Sequence, residues 1–264
     1  MNRPGYELVF DEDFYGPELD LSRWVDRYLP HWTTPDRSQA RYAVTQDGLR
    51  LRIDADQPAW RTEDGELRVS SLQTGSFSGP AGSRTGQHRH RDDLTVVTAQ
   101  PAQRRYLPSD GLVEATLRAS SDPTVMLAFW LVGFEEASPQ QAGELCVVEI
   151  FGHAIKAGSA ALNVGLKAHH DPQLSTDMAT VELPLDATDW HTYAAEWGDE
   201  GASFYVDDQL VRTVSQPLGY PLQLMVSLFE FPVTTDRNAA DYPKHGDVRS
   251  VRGYRRRAGT RPAG

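Results

Sequence analysis

The chain has 264 residues, 39% of them hydrophobic, and a formal net charge of −11. That apolar share supports a sizeable core and argues against whole-chain disorder, while the acidic balance repels phosphate backbones and argues against a nucleic-acid partner. A single cysteine, Cys146, excludes an internal disulfide framework, and no run of about 18 apolar residues offers a transmembrane helix.

The N-terminal stretch MNRPGYELVFDEDFYG has no apolar core long enough for a signal peptide. As written, the sequence therefore points to the cytoplasm, or to secretion if a leader has been removed. LRLRID, from Leu49 to Asp54, alternates strictly and predicts a strand. The segment TGSFSGPAGSRTGQHRHRDD, from Thr74 to Asp93, is polar and glycine-rich and reads as a long functional loop. VEATLRA places Val113, Ala115, Leu117 and Ala119 on one side of a strand. HTYAAEW (His191 to Trp197) and QLMVSLFEF (Gln223 to Phe231) are further strands. ASFYVDDQLVRTV reads as a hairpin turning at Asp207-Asp208. Asp-Gly or Gly-Pro pairs punctuate the chain at 16–17, 47–48, 64–65, 79–80 and 110–111. No segment keeps the helical period over three turns. The expectation is an all-β sandwich or barrel forming one domain over residues 1–264, and a monomer. The basic C-terminal segment, RGYRRRAGTRPAG from Arg252, reads as a solvated tail.

Three possible motifs fail on inspection. HRDDL at His90 to Leu94 lacks the glycine-rich loop and partner lysine of a kinase. GSFSG has no central serine and is no nucleophile elbow. His169 and His170 are adjacent, so on a strand they point to opposite faces and do not share one ion. No metal or cofactor is expected.

GELCVVEIFG is different, because Glu144 and Glu149 interrupt an apolar run, with Cys146 between them. Burying an unpaired charge costs several kcal/mol, and two carboxylates flanking a bond are the machinery of glycoside hydrolysis. In a regular strand these two residues face opposite sides. A bulge at Val147-Val148 would restore a common face. On the pair alone two arrangements stay open: a catalytic couple, or one glutamate in solvent and the other hydrogen-bonded in the core.

GELCVVEIFG resembles the bulged catalytic strand E-x-D-x-x-E of glycoside hydrolase family 16. LVFDEDFYGPELDLSRW, DGLRLRI, LPSDGLVEATLRAS with MLAFWLVG, DWHTYAAEWGDEGASFYVDDQLVRT and YPKHGDVRSVRGYR resemble further family segments, in the family's order, from about Val9 to Tyr254. The resemblance implies a concanavalin A-like β-jelly-roll of two antiparallel sheets with a concave cleft, its core spanning about residues 9–254 and a basic tail 255–264. It implies a retaining, endo-acting hydrolase of β-linked polysaccharide (β-1,3- or mixed-linkage glucan, or galactan). A transglycosylase or a non-catalytic carbohydrate-binding protein is the alternative. By position, Glu144 would be the nucleophile and Glu149 the acid/base, with Trp130 and His169 in the cleft. Cys146 replaces the family's middle aspartate, and Met126 stands where a cleft tryptophan is frequent. Arg249 stands near an aspartate that ligates calcium in the family, and a guanidinium cannot do so. Gln87 and Arg89, with His88 between them, and Glu230 are counted with Trp130, His169 and Met126 as candidate substrate-binding residues.

Overall fold

The alternating segments become strands in the computed structural model, which describes residues 3–232 and 237–257. In chain order they are Tyr6–Glu12 (β1), Arg41–Thr45 (β2), Gly48–Ile53 (β3), Arg68–Gln73 (β4), Gly75–Ser76 (β5), Gln103–Arg104 (β6), Gly111–Arg118 (β7) and Val125–Gly133 (β8). There follow Glu144–Phe151 (β9), Ile155–Lys156 (β10), Ser159–Lys167 (β11), Asp177–Leu183 (β12), His191–Gly198 (β13), Gly201–Val206 (β14), Gln209–Val214 (β15), Leu222–Glu230 (β16) and Lys244–Arg256 (β17). Two large antiparallel sheets form a jelly-roll sandwich. One runs β15-β14-β13-β7-β17-β3-β2, with β1 also on β17. The other runs β10-β11-β9-β8-β16-β4, with β12 also on β11.

Period two explains the layers. Leu49, Leu51 and Ile53 of β3 and Val113, Ala115 and Leu117 of β7 turn inward. They meet Leu127, Phe129 and Leu131 of β8 and Leu145, Val147 and Ile150 of β9 in one core between the sheets. Each fully buried aliphatic side chain contributes roughly 1.5–3 kcal/mol. The hairpin expected at Asp207-Asp208 joins β14 to β15, and both residues have positive φ (48° and 64°), as a two-residue turn of this hand requires. The segment 74–93 is loop apart from β5, which pairs with β6.

The basic C-terminal cluster is not wholly a tail. Arg252 to Arg256 belong to β17, and Arg252, Arg255 and Arg256 pair with Asp11, Glu7 and Glu196. Glu7 and Asp11 on β1 and Glu196 on β13 hold these arginines against the sheet; residues 258–264 lie outside the described part. On the same sheet the Arg249 guanidinium lies 4.2 Å from the Trp190 ring centroid, committed to that aromatic face.

A second apolar cluster covers part of the outer face of the β9 sheet. Met126 and Trp130 of β8, Met225 and Phe229 of β16 and Cys146 of β9 pack there under Tyr28, Trp32 and Trp60. Loops therefore roof this face, and they frame the polar groups beside it.

Candidate active site

The geometry of the carboxylate pair depends on one extra residue. Phe129 pairs with Val148 but the next β8 residue, Trp130, pairs with Cys146, so Val147 is the bulged residue. The neighbouring strand β11 records the same shift between Asn163 opposite Glu149 and Gly165 opposite Cys146. The bulge turns two successive valines, Val147 and Val148, into the inter-sheet core. Glu144, Cys146 and Glu149 are left together on the outer face, all buried, with one ligand atom from each within 4.8 Å of the others.

Charge compensation comes from a residue the sequence reading did not select. Lys167 sits opposite Glu144 at the end of β11. Its ammonium donates to Glu144 Oε1 at 3.0 Å and to Glu149 Oε1 at 2.7 Å, while lying 5.4 Å from the Trp130 ring centroid. His169 Nε2 donates to the other Glu144 oxygen at 2.7 Å, and Asn163 Nδ2 to Glu149 at 3.5 Å. Burial alone would raise the Glu144 carboxyl, but the His169 hydrogen bond and the Lys167 charge outweigh it and hold it down at about 2. Burial would also discharge Lys167, and the two glutamates reverse that and push its pKa above the ordinary range. Glu144 is thus a firmly ionised carboxylate at neutral pH.

Cys146 is a buried neutral thiol. Burial, then the charges of Glu149 and Glu144, lift its pKa well above that of a free cysteine. Its Sγ donates to the Asn163 carbonyl at 3.8 Å. Across the ladder, Trp130 is buried with its indole beside the Cys146 thiol.

The polar loop reaches this site through His88. Gln87, wholly buried, is an anchor for the loop: its carbonyl accepts from His31 Nε2 at 2.8 Å and Trp32 Nε1 at 2.9 Å, and its Nε2 donates to the Gly133 carbonyl at 3.3 Å. Burial holds His31 neutral, its pKa lowered to about 4. Gly86 precedes, where a Cβ would lie 2.6 Å from the His31 ring and 2.9 Å from Trp32, so only glycine fits without displacing the rings. His88 has a left-handed backbone (φ 52°), and its N–H donates to the carboxylate of Glu135. Its ring meets the His169 ring edge to face at 4.7 Å. Burial, then the neighbouring His169, lowers the His88 pKa to about 3, so the ring is neutral. Glu135 is itself buried, which raises its pKa to about 7.

The structure thus gathers Glu144, Cys146, Glu149, Trp130 and His169 with His88 of the polar loop, and adds Lys167 and Asn163. Gln87 anchors the loop, Arg89 lines the cavity beside His88 and His169, and the other two sequence candidates, Glu230 and Met126, are accounted for by packing and ion pairs. Glu230 is buried at the end of β16, accepting from Tyr242 at 2.6 Å and pairing with Arg68 and Arg237, each at 3.5 Å. That closed ion cluster explains its burial without a ligand. Met126 is packed within the outer apolar cluster, and Arg89 pairs with Asp92 at 3.2 Å beside Glu135. Lys167 carried one usable signal: it is the only charged residue in the apolar strand SAALNVGLK. Its register against Glu144 is a pairing that the sequence does not display.

Two antiparallel sheets, with a bulged strand presenting paired carboxylates on an outer face, define a jelly-roll protein of the carbohydrate-active kind. A family model described as glycosyl hydrolases family 16 matches residues 103–239, and the chain belongs to that family. Among solved structures it is similar to a GlcNAcα1-4Gal-releasing endo-β-galactosidase from Clostridium perfringens, with 24% identity and TM-score 0.84. That match covers 98% of this chain and 65% of the other, so the chain spans about two thirds of that enzyme's length. It is also similar to a laminarinase from Rhodothermus marinus (18% identity, TM-score 0.65, 95% and 97% of the two chains). A laminarinase catalytic domain from Thermotoga petrophila matches at 15% identity and TM-score 0.64, over 96% and 98% of the two chains. No curated protein matches the sequence.

Proposed function

We propose that the chain is a retaining, endo-acting glycoside hydrolase of β-linked polysaccharide, with Glu144 as nucleophile and Glu149 as acid/base. The observation that carries this is the bulge-aligned pair, whose oxygens come within 4.8 Å on one face. Retaining enzymes hold their carboxyl groups about 5–5.5 Å apart, too close for an intervening water and right for direct attack. Glu144 suits attack on the anomeric carbon, since His169 and Lys167 keep it ionised. Glu149, bonded to Lys167 and Asn163, is the partner carboxyl in this reading and protonates the leaving oxygen. In this reading sugar entering between the two displaces the ammonium from Glu149, and that carboxylate takes up a proton from solvent, which it then gives to the leaving oxygen. The resulting glycosyl ester at Glu144 is then hydrolysed by a water that Glu149 deprotonates. The likeness to an endo-β-galactosidase makes β-galactans, ahead of β-glucans, the first substrates to assay.

The Lys167 clamp also favours a second reading, a sugar-binding protein without turnover, since both carboxylates are occupied by one cation. New reducing ends released from a panel of β-galactans and β-glucans separate the two. Glu144→Ala should abolish release, whereas Glu149→Ala should still act on activated aryl glycosides, whose leaving groups need no acid. Sugar binding with no reducing ends from any member of the panel would establish the second reading.

A further inference from the structure

Two histidines from distant loops converge on the one face of Glu144 that Lys167 leaves free. The Lys167 ammonium occupies Oε1, and His169 Nε2 lies 2.7 Å from Oε2. His88 completes the group, and one ligand atom each from His88, Glu144 and His169 lies within 4.8 Å of the others. The His88 ring makes no hydrogen bond to any described residue, although it is half-buried. Both histidines hold left-handed backbone conformations, φ 52° at His88 and 46° at His169. Non-glycine residues adopt that conformation at a cost, and the anchoring of Gln87 and of the His88 N–H maintains it. A cavity of about 100 Å³ adjoins the two rings and Glu135, with room for a small ligand.

We propose that His88, His169 and Glu144 form a binding site for a divalent cation of the zinc class. Two imidazoles and one carboxylate suit zinc or its neighbours in preference to calcium or magnesium, which take oxygen ligands. Three protein ligands leave a fourth position for water, on the cavity side. Ligand atoms around a tetrahedral ion sit about 3.3 Å apart for bonds of about 2.0–2.1 Å. Closing the set from within 4.8 Å to that size requires side-chain rotations on binding. In the bound form the ring N–H of His169 is on Nδ1, which leaves the Nε2 lone pair for the ion. Lys167 keeps its hold on Oε1. The other charged groups nearby come in opposite pairs, Glu149 with Lys167 and, along the cavity, Glu135 with Arg89, so the ion meets the negative charge of Glu144. Binding of the ion does not depend on the glycosidase reading. Its consequence does: a metal on Oε2 occupies the proposed nucleophile, so the ion and the sugar exclude one another.

The test is equilibrium dialysis of zinc chloride against the full chain, with cobalt(II) absorption as a second measurement. The native protein is expected to bind one zinc per chain saturably. His88→Asn, which tolerates the left-handed backbone, and His169→Asn should each weaken that site at least about 100-fold, because they remove a direct ligand. His170→Asn should leave it unchanged, since the His170 ring is committed to the Arg89 carbonyl at 2.9 Å. Cobalt(II) in the native chain should give the intense visible bands of four- or five-coordination. Absence of saturable zinc binding, binding indifferent to His88→Asn and His169→Asn, or weak octahedral cobalt bands would each overturn the site. Where the protein hydrolyses glycan, zinc should inhibit with the dialysis midpoint, and a chelator should restore the rate. Zinc bound at the three residues with turnover undiminished would overturn the exclusion alone, and a chain without turnover leaves the binding result standing.

Discussion

Replacing Lys167 by Met keeps most of the side-chain volume and removes the charge from between two buried carboxylates. In the native site the ammonium lies 3.0 Å from Glu144 and 2.7 Å from Glu149. Without it, oxygens within 4.8 Å of one another repel with no cation between them. What the substitution removes is the ammonium's attraction, roughly 5.5 kcal/mol at about 3 Å and an effective dielectric of about 20; water entering the vacated space returns about half of it, leaving about two pH units of proton affinity. The pair should therefore take up one proton at a pH about two units higher than it does beside Lys167. Retention requires that singly protonated pair, so the bell-shaped profile of kcat/KM should move upward by about two units as the maximal rate falls. The assay is a pH–rate profile of native protein and Lys167→Met on one activated aryl glycoside. Thermal unfolding gives a second reading. The variant's stability deficit should shrink as the pH is lowered, because proton uptake relieves the repulsion. A profile that stays in place while the rate collapses would show that Lys167 acts as a strut rather than as a charge, and the reasoning would fail.

Three further outcomes follow from the same geometry. Cys146→Ser should keep most of the turnover, because a hydroxyl can also donate to the Asn163 carbonyl; a dead variant with both glutamates in place would give the thiol a chemical role. Gly86→Ala should cost roughly 1–3 kcal/mol by thermal melting and weaken substrate binding, since the new Cβ pushes on the His31 and Trp32 rings that anchor the loop. The folded-state pKa of Glu144 is depressed to about 2, so its stabilising contribution is complete above the unfolded carboxyl value of about 4.3 and is lost as the pH falls through 2. Acid titration of unfolding should therefore be less steep in Glu144→Gln than in the native protein, and equal slopes would remove Glu144 from that account.

Strict alternation in LRLRID and VEATLRA made β3 and β7 legible, because a strand's faces follow from its period of two. The Asp207-Asp208 hairpin was legible for a similarly local reason, since turn chemistry resides in adjacent residues. Glu144 and Glu149 stood out because carboxylates in an apolar run are costly to bury. Their common face needed the bulge at Val147, and a bulge is settled by pairing with Trp130 and Gly165 on two neighbouring strands. Lys167 and Asn163 were beyond sequence reasoning because their contacts with the pair cross strands, and His88, which stood out with its loop, showed no sign in the sequence of its approach to His169. The same separation made Glu230 misleading: a glutamate at a strand end looks available until Arg68, Tyr242 and Arg237 are seen to close around it. Period, turn chemistry and the cost of a buried charge are local properties, which a linear sequence displays. Which charge neutralises which is a matter of a few ångströms between residues remote in the chain, and only the folded sandwich decides it.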